Sequence, residues 1–188
     1  MSHPHPIPLT DHSMLALSRS ALAALRDALL HDAGQGAAGY LQDAGYAGGG
    51  TVFASFRSWL RQRGIEEPEE LDIADFQRHA SEYFREAGWG SLEIGTLNGA
   101  VVTEDSENWA ESDPAAQLDR PSCHFTTGMF ADFFGRLSDV PLSVLEVECR
   151  SAGAPRCRFL LGATDVMRYV YEALKRGERY ETAAGRVE

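Results

Sequence analysis

Leu142-Ser-Val-Leu-Glu-Val-Glu-Cys149, followed by Arg-Ser-Ala-Gly153-Ala-Pro155-Arg and then Cys157-Arg-Phe-Leu-Leu-Gly162, is the stretch that decides the fold. Two runs rich in β-branched and large apolar residues flank a turn marked by Gly153 and Pro155, which reads as a β-hairpin. A cysteine closes the first strand and another opens the second, so the turn presents two thiols at one end of the hairpin. Cys123 is the third cysteine, and it must return from a distant segment. Thiolate is the soft donor that zinc prefers, and a tetrahedral site filled by protein donors leaves no open position, so such a site is structural. Cys123, Cys149 and Cys157 with a carboxylate outline that site. The competing reading is three core thiols, because Cys-x7-Cys is no standard zinc spacing and a free buried cysteine behaves as a small hydrophobe. For the fourth donor, Glu146 competes with Glu148 and His124. Side chains alternate along a strand, which places Glu146 and Glu148 on one face and Cys149 on the other unless a bulge or the strand end intervenes.

Working upstream, Ser122–Leu137 reads as a helix carrying Phe125, Met129 and Phe133 at i, i+4 and i+8, with Phe130 and Phe134 beside them. Residues 104–121 are acidic and contain proline, a long connection in which Trp109 is the only aromatic side chain. Before it, Ser91–Leu97 and Ala100–Thr103 flank Asn98-Gly99, the favoured type I′ pair, and predict an antiparallel hairpin. Asp72 caps a helix to about Ala87, with Phe76, Tyr83 and Phe84 inward and Gly88 closing it. Glu66–Glu70 is a solvated linker. Two shorter helices, Ala37–Ala44 and Thr51–Arg63, are separated by Gly48-Gly-Gly. A first helix starts after Asp11 and ends near Gly34, with Leu15, Leu17, Leu22, Leu25, Leu29 and Leu30 on one face. Downstream of the second hairpin, Thr164 or Asp165 opens a last helix to about Arg176. The sum is an α+β domain: N-terminal helices, then a four-stranded antiparallel sheet of two β-hairpins packed with helices. Residues 13–180 form it, residues 1–12 are a disordered tail in which His3 and His5 bind metal at most weakly, and residues 181–188 are a second disordered tail.

The balance of 17 Lys plus Arg against 28 Asp plus Glu gives a net charge of −11, a field that repels phosphate backbones and anionic lipid. Nucleic-acid and membrane partners are therefore not expected. No apolar stretch reaches the roughly 20 residues of a membrane span and the N-terminus lacks a signal core, which points to the cytoplasm. Three cysteines in a reducing compartment favour metal or free thiols over disulfides. Gly34-Gln-Gly36-Ala-Ala-Gly39 matches G-x-G-x-x-G, but a leucine-rich helix precedes it and Trp59 stands where an acidic residue belongs, so dinucleotide binding is rejected.

The wording Cys123-His-Phe-Thr-Thr-Gly128, Leu142–Cys149, Gly153 and Cys157-Arg-Phe-Leu-Leu resembles the 4-vinyl reductase (4VR) domain, most specifically over residues 88–162. That family is similar to the effector-sensing module of phenol-responsive bacterial transcription activators and, in fold, to vesicle-tethering subunits. The resemblance implies a zinc held by Cys123, Glu146, Cys149 and Cys157. It also implies a hydrophobic, aromatic ligand touched by Trp109, within Ser106-Glu-Asn-Trp109-Ala-Glu111, and by Phe125, Met129, Phe130 and Phe133 around an apolar pocket. A homodimer paired through the N-terminal helices is expected, with output through a downstream protein partner. Asp132 departs from the family, standing where a second glycine of a Gly-x3-Gly step belongs; the gap from Trp109 to Cys123 is shorter; and His79 has no local phrase that marks it as a sensor histidine. A sensor or carrier that performs no chemistry is the leading reading. An enzyme or accessory protein of tetrapyrrole (4-vinyl) reduction and an assembly adaptor are the alternatives.

Overall fold

The computed structural model describes residue 7 and residues 14–34, 36–138 and 140–187. The elements run α1 (Arg19–Ala33), α2 (Gly36–Arg61), α3 (Ile73–Glu86), β1 (Glu93–Thr96), β2 (Val102–Ser106), α4 (His124–Ser138), β3 (Leu142–Glu148), β4 (Cys157–Ala163), α5 (Thr164–Lys175) and α6 (Tyr180–Ala184). The four strands make one antiparallel sheet in the order β1-β2-β4-β3, so the two expected hairpins join through β2 and β4. This is the α+β architecture read from the sequence.

β4 is central, and its alternation sorts the two cores. Cys157, Phe159 and Leu161 enter a large aromatic core with α2, α3 and α4, whereas Leu160 enters a smaller aliphatic core with Met167, Val170 and Ala173 of α5 and Ala183 and Ala184 of α6. Residues after Tyr180, read above as a disordered tail, thus pack on the sheet. Asn98 also donates to the carbonyls of Ala184 and Val187.

Three further expectations change. The helix after Asp11 instead begins at Arg19, capped by the Ser18 hydroxyl, which accepts from Ala21 N at 3.2 Å; Asp11 lies outside the described residues. Leu15, Leu17 and Leu25 are exposed, and the fully buried side chain of α1 is Arg26. The Gly48-Gly-Gly break is absent, for α2 runs unbroken through it. Glycine serves there for contact, because a Cβ on Gly45 would lie 1.9 Å from Phe125 O and one on Gly128 would lie 2.0 Å from Gln42 O. Helices α2 and α4 cross with their backbones touching, a geometry that offsets glycine's helix penalty with packing. Asp132, the family departure, fits because Gly49 faces its Cβ and Arg136 binds its carboxylate at 2.8 Å. Lastly, the first hairpin turns through Asn98, Gly99 and Ala100, with Leu97 N bonded to Val101 O, and Asn98 Oδ1 accepting from Ala100 N and Val101 N. Neither Asn98 nor Gly99 has positive φ, so no type I′ turn forms. β2 runs on through Ser106, into the segment read as connection.

Asp72 caps α3 as expected, accepting from Asp75 N at 2.8 Å, and Tyr83 and Phe84 point inward. Among the described residues no helix is long and apolar enough to cross a membrane.

Candidate metal centre and the aromatic core beside it

Cys123 caps α4, its carbonyl accepting from Thr127 N. Cys149 ends β3, and its carbonyl accepts from Ala152 N and Ala154 N across a tight turn closed by Gly153 at φ +82°. Cys157 opens β4, opposite Ser106 of β2. These positions bring the three sulfurs together: Cys123 Sγ is 3.8 Å from Cys149 Sγ and 4.0 Å from Cys157 Sγ. Four donor atoms, one each from Cys123, Glu146, Cys149 and Cys157, lie within 4.8 Å of one another. All four residues are buried.

A β-bulge resolves the parity problem of the sequence. Glu146 pairs with Phe159 and Glu148 with Arg158, so two residues of β3 oppose one of β4. That extra residue turns Glu148 to the opposite face, where Arg156, Arg158 and Tyr180 bind it. It also brings Cys149 to the same side as Glu146. Glu146 Oε2 accepts from Cys123 N at 2.8 Å, while its buried Oε1 has no hydrogen-bond partner.

The arrangement fits a tetrahedral soft metal. With Zn–S bonds of ~2.3 Å, tetrahedral geometry places sulfurs ~3.8 Å apart, close to the separations here and far beyond a disulfide's ~2.05 Å. Electrostatics agree. Burial pushes the Cys123 thiol and the Glu146 carboxyl well above their usual ranges, whereas the thiols of Cys123 and Cys157, hydrogen-bonded to Cys149, pull its thiol far down. Four acidic groups in one dry spot cannot all ionise without a cation to compensate them.

Beside this cluster sits Trp109, 1 % exposed. Its ring lies 5.2 Å from Phe130, 5.7 Å from Phe84, 5.6 Å from Trp89 and 6.4 Å from Phe159. Met129 and Phe133 are fully buried in the same core, with Phe133 packed on Phe53, Phe56 and Phe84, while Phe125 is partly buried and stacks on Trp89. The residues expected to surround a ligand are thus brought together, and in this conformation their rings rest on one another. Two open surface clefts, one near Tyr46 and Arg136 and one near Arg78 and Arg85, are lined by other side chains. His79 lies apart from Trp109's ring partners, edge-on to Trp59.

Sequence reading missed Glu111, which organises this region. Its carboxyl accepts from Phe125 N at 3.0 Å and Thr126 N at 2.7 Å, capping α4, and from the Thr126 hydroxyl. That hydroxyl in turn accepts the Trp109 indole N–H at 2.7 Å. Burial raises Glu111 to about 7. Arg26 reaches from α1 to the Glu111 carbonyl at 2.7 Å, and Ser151, in the turn between Cys149 and Cys157, binds the backbone of Asp113 and Leu118. The connection bearing Trp109 is therefore stitched to α1, to α4 and to the cysteine turn. An acidic residue two positions after a lone tryptophan was the available signal, but nothing local distinguished it from the other acids of the segment.

The family model of the V-4-R domain, the vinyl-4-reductase type, matches residues 105–163. No curated protein matches the chain. Among solved structures, the phenol-responsive sensory domain of the transcription activator PoxR, crystallised with phenol, is similar at a TM-score of 0.62 and 18% identity, over 81% of this chain and 77% of that one. A vinyl-4-reductase family protein from Methanocaldococcus jannaschii is similar at a TM-score of 0.47 and 20% identity, over 64% of this chain and 66% of that one. At such identities the likeness is one of fold. Residues 105–163, which hold Trp109, the four candidate ligands and the second hairpin, thus carry the signature of the vinyl-4-reductase domain family, on a fold similar to that of the PoxR sensory domain.

Proposed function

We propose that this protein is a ligand-binding sensor or carrier domain that takes a small aromatic molecule into the core around Trp109, with a structural zinc at Cys123, Glu146, Cys149 and Cys157. The observation that carries the reading is the linkage of the two regions: Thr126, which holds the Trp109 indole, lies on the first turn of α4, directly after Cys123. Zinc, when bound, cross-links the start of α4 to both ends of the cysteine turn, and its binding energy becomes folding energy. Glu146 supplies the fourth donor through the oxygen that lacks a partner.

On this reading Trp109 and Phe130 form the contact surface, with Phe133 and Met129 behind them and Phe125 at the Trp89 edge. Since the rings touch, ligand entry requires the Trp109 connection to swing outward, and burial of the ligand's apolar surface at about 25 cal/mol per Å² offsets that opening. The likeness to a domain crystallised with phenol supports an aromatic guest of one or two rings. A homodimer and a downstream protein partner complete the proposal; the exposed Leu15, Leu17 and Leu25 support pairing through the N-terminal region.

Titration of the purified chain with phenol, toluene and naphthalene, followed by tryptophan fluorescence and melting temperature, tests the pocket. Stabilisation lost in Trp109→Ala is expected; no stabilisation by any of the three would overturn it. Elemental analysis tests the metal, with one zinc per chain expected, lost together with stability in Cys157→Ser. Glu146→Gln should weaken zinc more than Glu148→Gln does.

A further inference from the structure

β2 divides its acids between the two faces of the sheet. Asp105 turns toward α5 and α6, where Arg158 clasps it with bonds of 2.6 and 2.7 Å. Glu104, one residue earlier, points the other way. Directly opposite it stand Ile94 on β1 and Phe159 on β4, and opposed residues of an antiparallel pair share a face. Phe159 packs its ring on Phe130 at 5.3 Å and on Trp109 at 6.4 Å. The Glu104 side chain is therefore on the aromatic side of the sheet. It is 1 % exposed, and its Oε2 is buried with no hydrogen-bond partner.

The nearby arginines do not neutralise it, for Arg156 and Arg158 are engaged by Asp105 and Glu148 on the opposite face. Burial, with the neighbouring Asp105 charge adding to it, drives the Glu104 carboxyl well above its usual range. A carboxyl left unpaired in an aromatic core is costly, and an apolar residue at this strand position would avoid the cost. Folded proteins keep such groups chiefly where a ligand meets them.

We propose that Glu104 is the polar anchor of the small-molecule site and that the ligand class is an aromatic amine. The ring lies against Phe159 and Trp109, and the ammonium donates to Glu104 Oε2. The proton balance is simple: a neutral amine entering beside the protonated carboxyl takes its proton, and the resulting ammonium–carboxylate pair is net neutral in the core. A charge-assisted bond of this kind exceeds what a neutral hydroxyl offers. This inference rests on the aromatic-ligand reading above and sharpens it to one chemistry.

The test compares benzylamine, benzyl alcohol and toluene, three probes of one shape, by calorimetry on the full chain in wild type, Glu104→Gln and Glu93→Gln, the last an exposed control on β1. Benzylamine is expected to bind about tenfold or more tightly than benzyl alcohol. Glu104→Gln should erase that preference while toluene binding is kept, and Glu93→Gln should leave it intact. If Glu104→Gln does not fold, Glu104→Asp replaces it, with the amine preference expected to shrink through lost reach. Equal binding of amine and alcohol to wild type, or a preference that survives at Glu104→Gln or Glu104→Asp, overturns the Glu104 assignment and leaves the aromatic reading standing; the partner of Oε2 is then a buried water only. Failure of all three probes to bind overturns both.

Discussion

The two faces of the sheet solve the same burial problem with different chemistry. Toward α5 and α6 the core is aliphatic and small, and its border is charged in a closed network: Asp105 and Glu148 hold Arg156 and Arg158, and Tyr180 joins both. Toward α2, α3 and α4 the core is aromatic, its helices touch backbone to backbone at Gly45 and Gly128, and buried oxygens of Glu104 and Glu146 remain without partners. One face pairs its carboxylates with arginines, and the other leaves two of them open. The difference separates a supporting layer from a layer built to receive something, because unpaired buried polar atoms are tolerated where function compensates them.

The largest expected effect breaks the aromatic face at its helix crossing. Gly128→Ala drives a methyl group to within 2.0 Å of the Gln42 carbonyl and should cost on the order of 4 kcal/mol or more, or abolish folding. Met167→Ala on the opposite face should cost about 2–4 kcal/mol, an ordinary cavity penalty. Denaturant melts of both variants check the order, and the reverse order would remove the distinction in packing tightness.

A second, intermediate effect lies in pH. Glu111 rises to about 7 in the folded chain from an ordinary 4.5, so the folded state binds the proton more tightly than the unfolded state does. Its contribution to stability is complete below about pH 4.5 and is lost as pH climbs through about 7, an amount on the order of 3 kcal/mol. Zinc binding has the opposite sign, since thiols must deprotonate. The informative quantity is therefore the difference between wild type and Glu111→Gln in urea midpoints from pH 5 to 8. The difference should shift in favour of Glu111→Gln as pH rises, and a flat difference would place the Glu111 proton elsewhere.

The smallest effect belongs to the charged border. Arg158→Leu opens the Asp105 clasp on the α5 side, where the guanidinium is still partly in water, and should cost about 1 kcal/mol. High salt should diminish that cost while leaving the Gly128→Ala penalty unchanged. Melting both variants at low and high ionic strength distinguishes them.

Element types were largely legible because periodicity and turn residues act locally: the Leu142–Glu148 and Cys157–Ala163 strands, the Asp72 cap and the phenylalanine stripe of α4 all follow from neighbours in sequence. The errors share a cause. Gly48-Gly-Gly reads as a break until α4 is laid across α2, and Asn98-Gly99 reads as a two-residue turn until Asn98 is required to reach Ala184 and Val187. Residues after Tyr180 look dispensable until the aliphatic face needs covering. At the site the cysteines announced themselves, but the choice between Glu146 and Glu148 depended on a bulge whose presence the local sequence does not mark. Glu104 and Glu111 were invisible among other acids, since burial is a property of the assembled sheet.

The manner in which α1 is fastened has a mechanical consequence. Its fully buried side chain is an arginine, and it is secured by two directional bonds to backbone carbonyls, Arg26 to Glu111 and Arg19 to Gly88, with little grease beneath it. A helix attached by apolar area resists separation in proportion to that area, whereas one attached by two struts holds until a strut's footing shifts. One footing is two residues from Trp109. Any rearrangement that carries the Trp109 connection outward pulls on α1 before it disturbs α2, and the N-terminal helix becomes a lever whose short arm ends at the aromatic core.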